Sequence, residues 1–441
     1  MGEEVHNMVF TIGIRKEDKN RWERRTPLTP KHVKELKEKH GIQTIVQPSQ
    51  IRAFTEEEYK KAGATIQENL SPCSHVFAVK EIPVDFFEPG KTYVFFSHTI
   101  KGQKHNMPML KRILELGCTL IDYERIVDEH GRRLVFFGRY AGLAGMIDTL
   151  WAFGQRLKWE GTNTPFDEIK QTIYYKDLDE IKKHLSMVGE HIKKEGLPKE
   201  LTPLIIGLAG YGNVSRGAQE ILDVLPTKEV KPEEIGEIYE NPSKNIVYKV
   251  VFKEEHMVEP IEKNAKFELL DYYNHPEHYR SVFEKYIPHL SILMNCIYWD
   301  TRYPRLVTKT FIKSMFKGDK SVRLRVIGDI SCDINGAIEF NVKATEPDNP
   351  VYVYNPLTDD VKDGYAGEGV VVLAVDNLPC ELPKESSISF SESLWRFVPG
   401  IVKADYSKEF KDINLPMEIK KAVIVYKGKL TPDYHYMNKY L

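Results

Sequence analysis

The sequence predicts an α/β protein of more than one domain, built on parallel sheets flanked by helices. Short apolar, β-branched runs alternate with helical segments along much of the chain. A strand, a glycine-rich turn and a helix follow one another over residues 202–225. Two apolar runs end directly in a lysine and a histidine, as happens at the carboxyl rim of an open parallel sheet. At 441 residues the chain suits two or three domains and can bury more than one core.

Taken in order, Phe10–Ile14 reads as a strand, Thr29-Pro30 as a helix N-cap with proline at the first helical position, and Ile42–Val46 as a second strand. Thr55-Glu56-Glu57-Glu58 is a capping box that opens another helix. Two further strands, Val76–Val79 and Tyr93–Phe96, lead into Lys80 and, past Ser97, into His98. Alone, such a lysine is usually a solvated loop charge and such a histidine a structural one. At equivalent strand ends the two can meet at one rim. Tyr140–Leu157 reads as a helix with Ala141, Gly142, Ala144 and Gly145 along one side, suited to close backbone packing. It is expected to lead out of the first domain, with polar Lys158–Glu180 as part of the crossing.

Leu204-Ile205-Ile206 reads as a buried strand, and Gly207, Gly210 and Gly212 give a turn that lets the backbone approach a ligand. Val214, Ala218, Ile221, Leu222 and Leu225 then form one apolar stripe of a helix. Free N–H groups and the positive end of the helix dipole converge on the turn, which makes a site for the pyrophosphate of a dinucleotide. Ser215 replaces the third glycine of G-x-G-x-x-G, so the alternative is a tight structural turn. Leu290–Asn295 leads into Cys296-Ile297-Tyr298-Trp299, Val322–Ile330 into Ser331-Cys332-Asp333, and Gly369–Val375 is a last strand whose exit, Asp376–Pro379, leaves the domain. The charged, tyrosine-rich stretch Pro226–Pro288 is expected to be an insertion with a helix at Pro276–Tyr286. Ser389–Val398 and Leu415–Val425 return to the first domain.

A net charge of −2 argues against a nucleic-acid binder, which needs a dominant basic face, while leaving room for local basic patches, so an anionic ligand must be held by individually placed arginines and lysines. The five cysteines form no C-x-x-C pair and no His/Cys cluster at metal spacing, which points to free thiols in a reducing compartment and to no metal. The acidic start lacks the features of a signal or transit peptide, and no run approaches the roughly 20 apolar residues of a membrane span. A cytoplasmic protein is expected, or a mitochondrial one if a leader is removed or the chain is part of a longer precursor.

Arg25-Thr-Pro-Leu-Thr-Pro30, Lys80-Glu81, Phe95-Phe-Ser-His-Thr99, Asp122-Tyr-Glu124, Gly131-Arg-Arg133, Phe137-Gly-Arg-Tyr-Ala-Gly142, Gly210-Tyr-Gly-Asn-Val-Ser-Arg-Gly-Ala218, Asp329-Ile-Ser-Cys-Asp333 and Asp376-Asn-Leu-Pro379 span nearly the whole chain. On these the chain resembles the lysine–ketoglutarate reductase domain, the amino-terminal half of bifunctional α-aminoadipic semialdehyde synthases. It is more distantly similar to lysine-forming saccharopine dehydrogenase and alanine dehydrogenase. The resemblance implies two Rossmann-like domains separated by an active-site cleft that closes over the substrates. Residues 8–157 and 376–441 would form the substrate domain, and 158–375 the NADP(H)-binding domain, with the insertion around 226–288. The implied reaction joins L-lysine and 2-oxoglutarate with NADPH to give saccharopine, the first step of lysine degradation.

Lys80 and His98 match the family's acid–base pair, and Glu81 and Glu124 the carboxylates beside it, expected to favour the charged forms of both. Arg25, Arg133 and Phe137 fall at the family's substrate-binding positions, and the planar guanidinium groups of the two arginines suit substrate carboxylates; Arg24 and Arg132 read as surface charges. Asp333 matches an active-site aspartate, with a helix N-cap as the structural alternative. The cofactor set is Gly210, Tyr211, Gly212, Asn213, Val214, Ile297 and Tyr298, with Lys231 as a 2′-phosphate contact. Glu229 and Lys231, near the end of the second strand, leave the choice of nucleotide locally open, and NADPH follows from the resemblance. Expected partners are the small-molecule substrates, a fused or associated saccharopine-oxidising dehydrogenase and further copies of the chain, with no nucleic acid and no membrane. Two rival readings remain: an alanine dehydrogenase-like enzyme using NAD, against which Glu124 and Arg133 argue, and a non-catalytic nucleotide sensor.

Overall fold

A computed structural model describes residues 10–318 and 322–441; the acidic start of the chain lies outside the described residues. The chain forms two compact units, one running to Phe137 and resuming at Pro383, the other Gly138–Leu382.

The first unit is an eight-stranded sheet. Its parallel part comprises β1 (Thr11–Ile14), β2 (Gln43–Val46), β3 (Thr65–Ile66), β4 (His75–Phe77), β5 (Thr92–Phe95) and β6 (Thr119–Asp122), in the order β6-β5-β4-β1-β2-β3. The strand Val423–Tyr426 pairs antiparallel with β6, so the carboxyl-terminal segment belongs to this unit. β4, β5 and β6 are buried throughout, which is why they read as continuous apolar runs rather than alternating ones. In α1 (Pro30–His40), proline occupies the first turn and Gly41 ends the helix at φ 68°. Thr29 does not cap it with its side chain. The Thr29 N–H instead donates to Ser391 Oγ at 2.9 Å, and the Thr26 N–H to Ser387 Oγ at 3.0 Å, so the returning helix Pro383–Leu394 fixes the loop that carries Arg25. The Thr55 capping box is formed in full at α2 (Glu56–Lys61). A third helix, α3 (Met107–Glu115), connects β5 to β6.

The second unit opens with α4 (Gly138–Trp159), which corrects the expected boundaries at 157/158 and 375/376. The small side of α4 faces α6 (Asn213–Leu222), the helix after the glycine turn. A Cβ on Gly142 would stand 1.9 Å from the Val214 carbonyl oxygen, and one on Gly217 would stand 2.0 Å from that of Arg139. The two backbones are in contact, which holds α4 to this unit. The expected polar crossing also belongs here: a 3₁₀ turn at Pro165–Glu168 packs on α4, and α5 (Leu178–Glu195) follows, capped by Asp177.

The strands of this unit are β7 (Leu204–Ala209), β8 (Thr227–Val230), β9 (Val247–Phe252), β10 (Val258–Pro260), β11 (Tyr279–Ser281), β12 (Ile292–Asn295), β13 (Val326–Asp329), β14 (Val351–Tyr354), β15 (Val361–Asp363) and β16 (Val370–Leu373). The main sheet runs β15-β14-β16-β13-β12-β7-β9-β8, parallel from β16 to β8. The expected insertion at 226–288 is therefore too long, because β8 and β9 are sheet strands. What remains outside the sheet is the stretch from 253 to the start of β12. It contains no helix at Pro276–Tyr286: β11 pairs antiparallel with β10 there, between 3₁₀ turns at Pro276–His278 and Phe283–Lys285. Tyr279 and Phe283, whose spacing resembles a helical stripe, are buried from that arrangement. No helix among the described residues is long and apolar enough to cross a membrane.

Candidate functional site

In the first unit β1, β4, β5 and β6 are parallel, so their carboxyl ends share one rim. The register sets Ile14 beside Phe77, Phe77 beside Val94 and Phe95 beside Asp122. Residues just past these ends are gathered by topology. Lys80 and Glu81 leave β4, His98 leaves β5, and Glu124 leaves β6. Glu17, Lys19, Glu23 and Arg25 come from the segment after β1.

His98 Nδ1 lies 2.6 Å from Glu81 Oε1, and Lys19 Nζ reaches the same carboxylate at 2.9 Å and 3.1 Å. Burial opposes ionisation of Glu81, but these two partners outweigh it and hold the carboxyl well below the usual range. His98 has φ 47°, a left-handed conformation that a residue other than glycine seldom adopts. Its loop is fixed on both sides: Asn106 Nδ2 donates to the His98 carbonyl at 3.1 Å, and the Ser97 N–H donates to buried Asp122 at 3.0 Å.

Lys80 departs from expectation. Burial, with Arg25 and Lys19 nearby, lowers its pKa, and Glu23 and Glu81 only partly compensate. Neighbouring carboxylates were expected to raise it, but desolvation disfavours the ammonium and decides the direction. The free amine is thereby easier to form, as suits a base.

Arg25 is 2% exposed and forms a two-point ion pair with Glu23, at 2.7 Å from Nε and 2.5 Å from Nη2. Its guanidinium lies 4.2 Å from the ring centre of Phe137, which stacks on Phe390 at 4.4 Å. Arg25 and Phe137 thus form one assembly. Arg133 is half-exposed and paired with Glu124. Arg24 and Arg132 are exposed, the latter paired with Asp128 at 2.7 Å.

In the second unit Gly210 has φ 96°, and a Cβ there would stand 3.0 Å from Ile297 Cγ2 and 3.2 Å from the Cys296 carbonyl oxygen. Beside Gly212 a Cβ would meet nothing within 4 Å. Open space therefore adjoins the start of α6, a helix with no side-chain cap, whose first residues are Asn213 and Val214. Buried Ser215 fills the third glycine position. Gly210, Tyr211, Gly212, Ile297 and Tyr298 line one cavity of about 290 Å³. Lys231 lies apart from it, in a groove of about 710 Å³ that also includes Tyr211, Lys253 and His256. Free N–H groups, open space and an adjoining cavity suit the pyrophosphate and ring of a dinucleotide.

Asp333 is exposed in a turn with no helix behind it. The buried acid of that strand end is Asp329, which accepts from Asn295 Nδ2 and Asn341 Nδ2, both at 2.8 Å. Burial pushes its carboxyl up to about 6, against these hydrogen bonds. A folded-state value above the unfolded one means the fold is favoured by Asp329 at low pH, and that this contribution is lost as pH rises through about 6. Scanning calorimetry on the wild type and Asp329→Asn is expected to show a smaller fall in melting temperature between about pH 4 and pH 6.5 in the variant; equal slopes would contradict the assignment.

Sequence reasoning missed Glu17, Glu23 and Lys253, and named Asp329 in a motif without giving it a role. Glu17 and Glu23 flank a strand end already singled out, and that position was the available signal. At the surface, outside these sites, donor atoms of His275, Glu277 and His278 lie within 4.8 Å of one another, and His275 and His278 each face a carboxylate at 3.3 Å.

Residues 13–144 match the alanine dehydrogenase/PNT N-terminal domain and residues 277–433 the alanine dehydrogenase/PNT C-terminal domain. The chain is 40% identical over 443 residues to an α-aminoadipic semialdehyde synthase of Arabidopsis thaliana and 36% identical over 442 residues to the mitochondrial one of Bos taurus. Each alignment covers 97% of this chain but only 41% and 47% of those relatives, so the chain spans less than half their length. A lysine-forming, NAD(+) saccharopine dehydrogenase of Neurospora crassa is 29% identical over 87% of the chain and 89% of its own length. Among solved structures, an L-alanine dehydrogenase aligns with a TM-score of 0.63 at 16% identity, covering 98% of this chain and 99% of its own. A transhydrogenase from Sinorhizobium meliloti aligns with a TM-score of 0.54 at 14% identity, covering 96% and 100%. These likenesses show the fold.

Proposed function

The chain belongs to the alanine dehydrogenase/PNT family, and from that premise we propose that it is a lysine–2-oxoglutarate reductase. The ε-amine of L-lysine adds to the keto group of 2-oxoglutarate, the carbinolamine loses water, and reduction of the imine gives saccharopine. The observation that carries this reading is one sheet rim at which Glu81 holds His98 Nδ1 at 2.6 Å and is also among the charges acting on Lys80, in a chain 40% identical to an α-aminoadipic semialdehyde synthase.

At neutral pH roughly one lysine molecule in a few thousand has a free ε-amine, so a base must take its proton. Lys80, with its lowered pKa, is suited to that task. Loss of water from the carbinolamine needs a proton donor, and His98, held by Glu81, is suited to give it. In the two-point Glu23–Arg25 pair this guanidinium already donates to a carboxylate in fork geometry. A substrate carboxylate would compete for it over the Phe137 face, and Arg133, paired with Glu124, is suited to the second carboxyl end. Asp333, exposed beyond β13, is left as a contact to substrate or cofactor.

A reduced nicotinamide dinucleotide bound at the glycine turn supplies the hydride. Gly210, Tyr211, Gly212, Asn213 and Val214 would hold its pyrophosphate, and Ile297 and Tyr298 would flank the cavity beside it. The strand adjoining β7 is β9, not β8, so the residue at the ribose-selecting strand end is Lys253, with Lys231 farther out. Glu229 pairs with Lys249 at 3.1 Å and Glu254 accepts from Tyr273 at 2.6 Å, but Glu233, Glu234 and Glu255 also line that groove, so the reading of a 2′-phosphate rests on Lys253, Lys231 and the resemblance. Fusion or association with a saccharopine-oxidising dehydrogenase fits the greater length of the synthase relatives.

Purified protein is expected to oxidise NADPH only with both L-lysine and 2-oxoglutarate present, and faster than NADH. Lys253→Ala is expected to raise KM for NADPH about 10- to 100-fold, from loss of a charge-assisted hydrogen bond of about 1.5–3 kcal/mol, with little effect on NADH. Turnover of pyruvate with ammonia instead would replace this reading with an alanine dehydrogenase-like one. A wild-type preference for NADH would overturn the cofactor assignment.

A further inference from the structure

We propose that Glu17 is a positioning residue for the reaction, because its carboxyl clamps the backbone that presents Lys80. The inference rests on the reading of Lys80 as the base. Glu17 follows β1, the parallel neighbour of β4. Its Oε1 accepts the Val79 N–H at 2.6 Å and its Oε2 accepts the Lys80 N–H at 3.0 Å. One carboxyl thus takes two consecutive amides just past the end of β4, where the ladder no longer supplies acceptors. Val79 is fully buried and Glu17 only 6% exposed, so water cannot readily replace the clamp.

Lys80 reaches its substrate through a long flexible stem, and the fixed point of that stem is the clamped backbone. A shift of about 1 Å at a reacting group can cost on the order of 100-fold in rate. The groups facing Glu17 are Glu23, Arg15, Arg52 and Tyr123. Burial first, and Glu23 second, push its carboxyl up to about 7, while the two amides and Arg15 pull the other way. The carboxylate is the stronger acceptor, so the clamp tightens as pH rises through that value.

Glu17→Gln retains one acceptor and turns an NH₂ group toward the other amide. It is expected to lower kcat at least about 10-fold at pH 8, leave KM for both substrates within about twofold, and displace the acid limb of the kcat profile. A purely structural role would lower the melting temperature without moving that limb. Lys80→Met, assayed in parallel, separates the two ideas. If Lys80→Met keeps wild-type kcat, the reading of Lys80 fails. If Lys80→Met is inactive while Glu17→Gln keeps wild-type kcat and profile, the role of Glu17 alone is overturned. Should Glu17→Gln not fold, amide NMR of the wild type decides: the Val79 and Lys80 amide protons are expected to be hydrogen-bonded and protected from exchange with solvent, and rapid exchange of the two would overturn the clamp.

Discussion

Lys80→Met is expected to lower kcat by about 10²–10⁴-fold, the range associated with loss of a positioned proton-transfer group, while KM for L-lysine and 2-oxoglutarate changes little. Methionine keeps the length and the apolar stem, so packing at the rim is preserved and the loss reports the amine. Burial, Arg25 and Lys19 lower the pKa of Lys80, so the limb of the kcat/KM profile that it governs should lie below the usual lysine range in the wild type and vanish in the variant. His98→Gln, which cannot shuttle a proton, should also act on kcat. Near-normal kcat in both variants, with an unchanged pH profile, would make Lys80 and His98 structural residues and dissolve the proposed site.

The second large effect falls on stability. Gly217→Ala places a methyl 2.0 Å from the Arg139 carbonyl oxygen and 3.1 Å from the Leu143 backbone nitrogen. No flexible side chain can move aside, because both obstacles are main chain, so α4 and α6 must separate. Overpacking of this kind costs about 1–3 kcal/mol or more, and each kcal/mol lowers Tm by roughly 2–4 °C for a unit of this size. Because α6 begins at the glycine turn, the same displacement should weaken dinucleotide binding. Gly236→Ala is the control: its added methyl would meet nothing within 4 Å. It should melt at or slightly above the wild-type temperature. A Gly217→Ala protein that melts like the wild type would show that the two helices are not in backbone contact in solution.

Much of this was legible because it is local. Leu204-Ile205-Ile206, the turn at Gly210–Gly212 and the apolar stripe of α6 are set by residues near one another in sequence, as is the Thr55 capping box. The strand ends carrying Lys80 and His98 were readable because buried parallel strands are apolar on both faces and stop where polar residues begin. β8, Thr-Lys-Glu-Val, is a polar, half-exposed edge strand with little apolar signature, so it was legible only as a second-strand end near Glu229 and Lys231, inside a stretch expected to be an insertion. β9, Val-Tyr-Lys-Val-Val-Phe, carried a strand signal that was overlooked inside a stretch taken for an insertion.

The sequence by itself determined which segments are strands or helices where burial is periodic, and which residue types stand at their ends. Tertiary structure alone decided three matters. α4 belongs to the second unit because Gly142 and Gly217 let two backbones touch, a fact about partners some 75 residues apart. β9 rather than β8 adjoins β7, which moves the ribose-selecting position from Lys231 to Lys253, and strand order is a choice among pairings that local pattern leaves open. The lowered pKa of Lys80 follows from burial and from Arg25 and Lys19, which lie more than 50 residues away in sequence. A pKa is set by desolvation and by charges close in space, and neither is written in the order of residues.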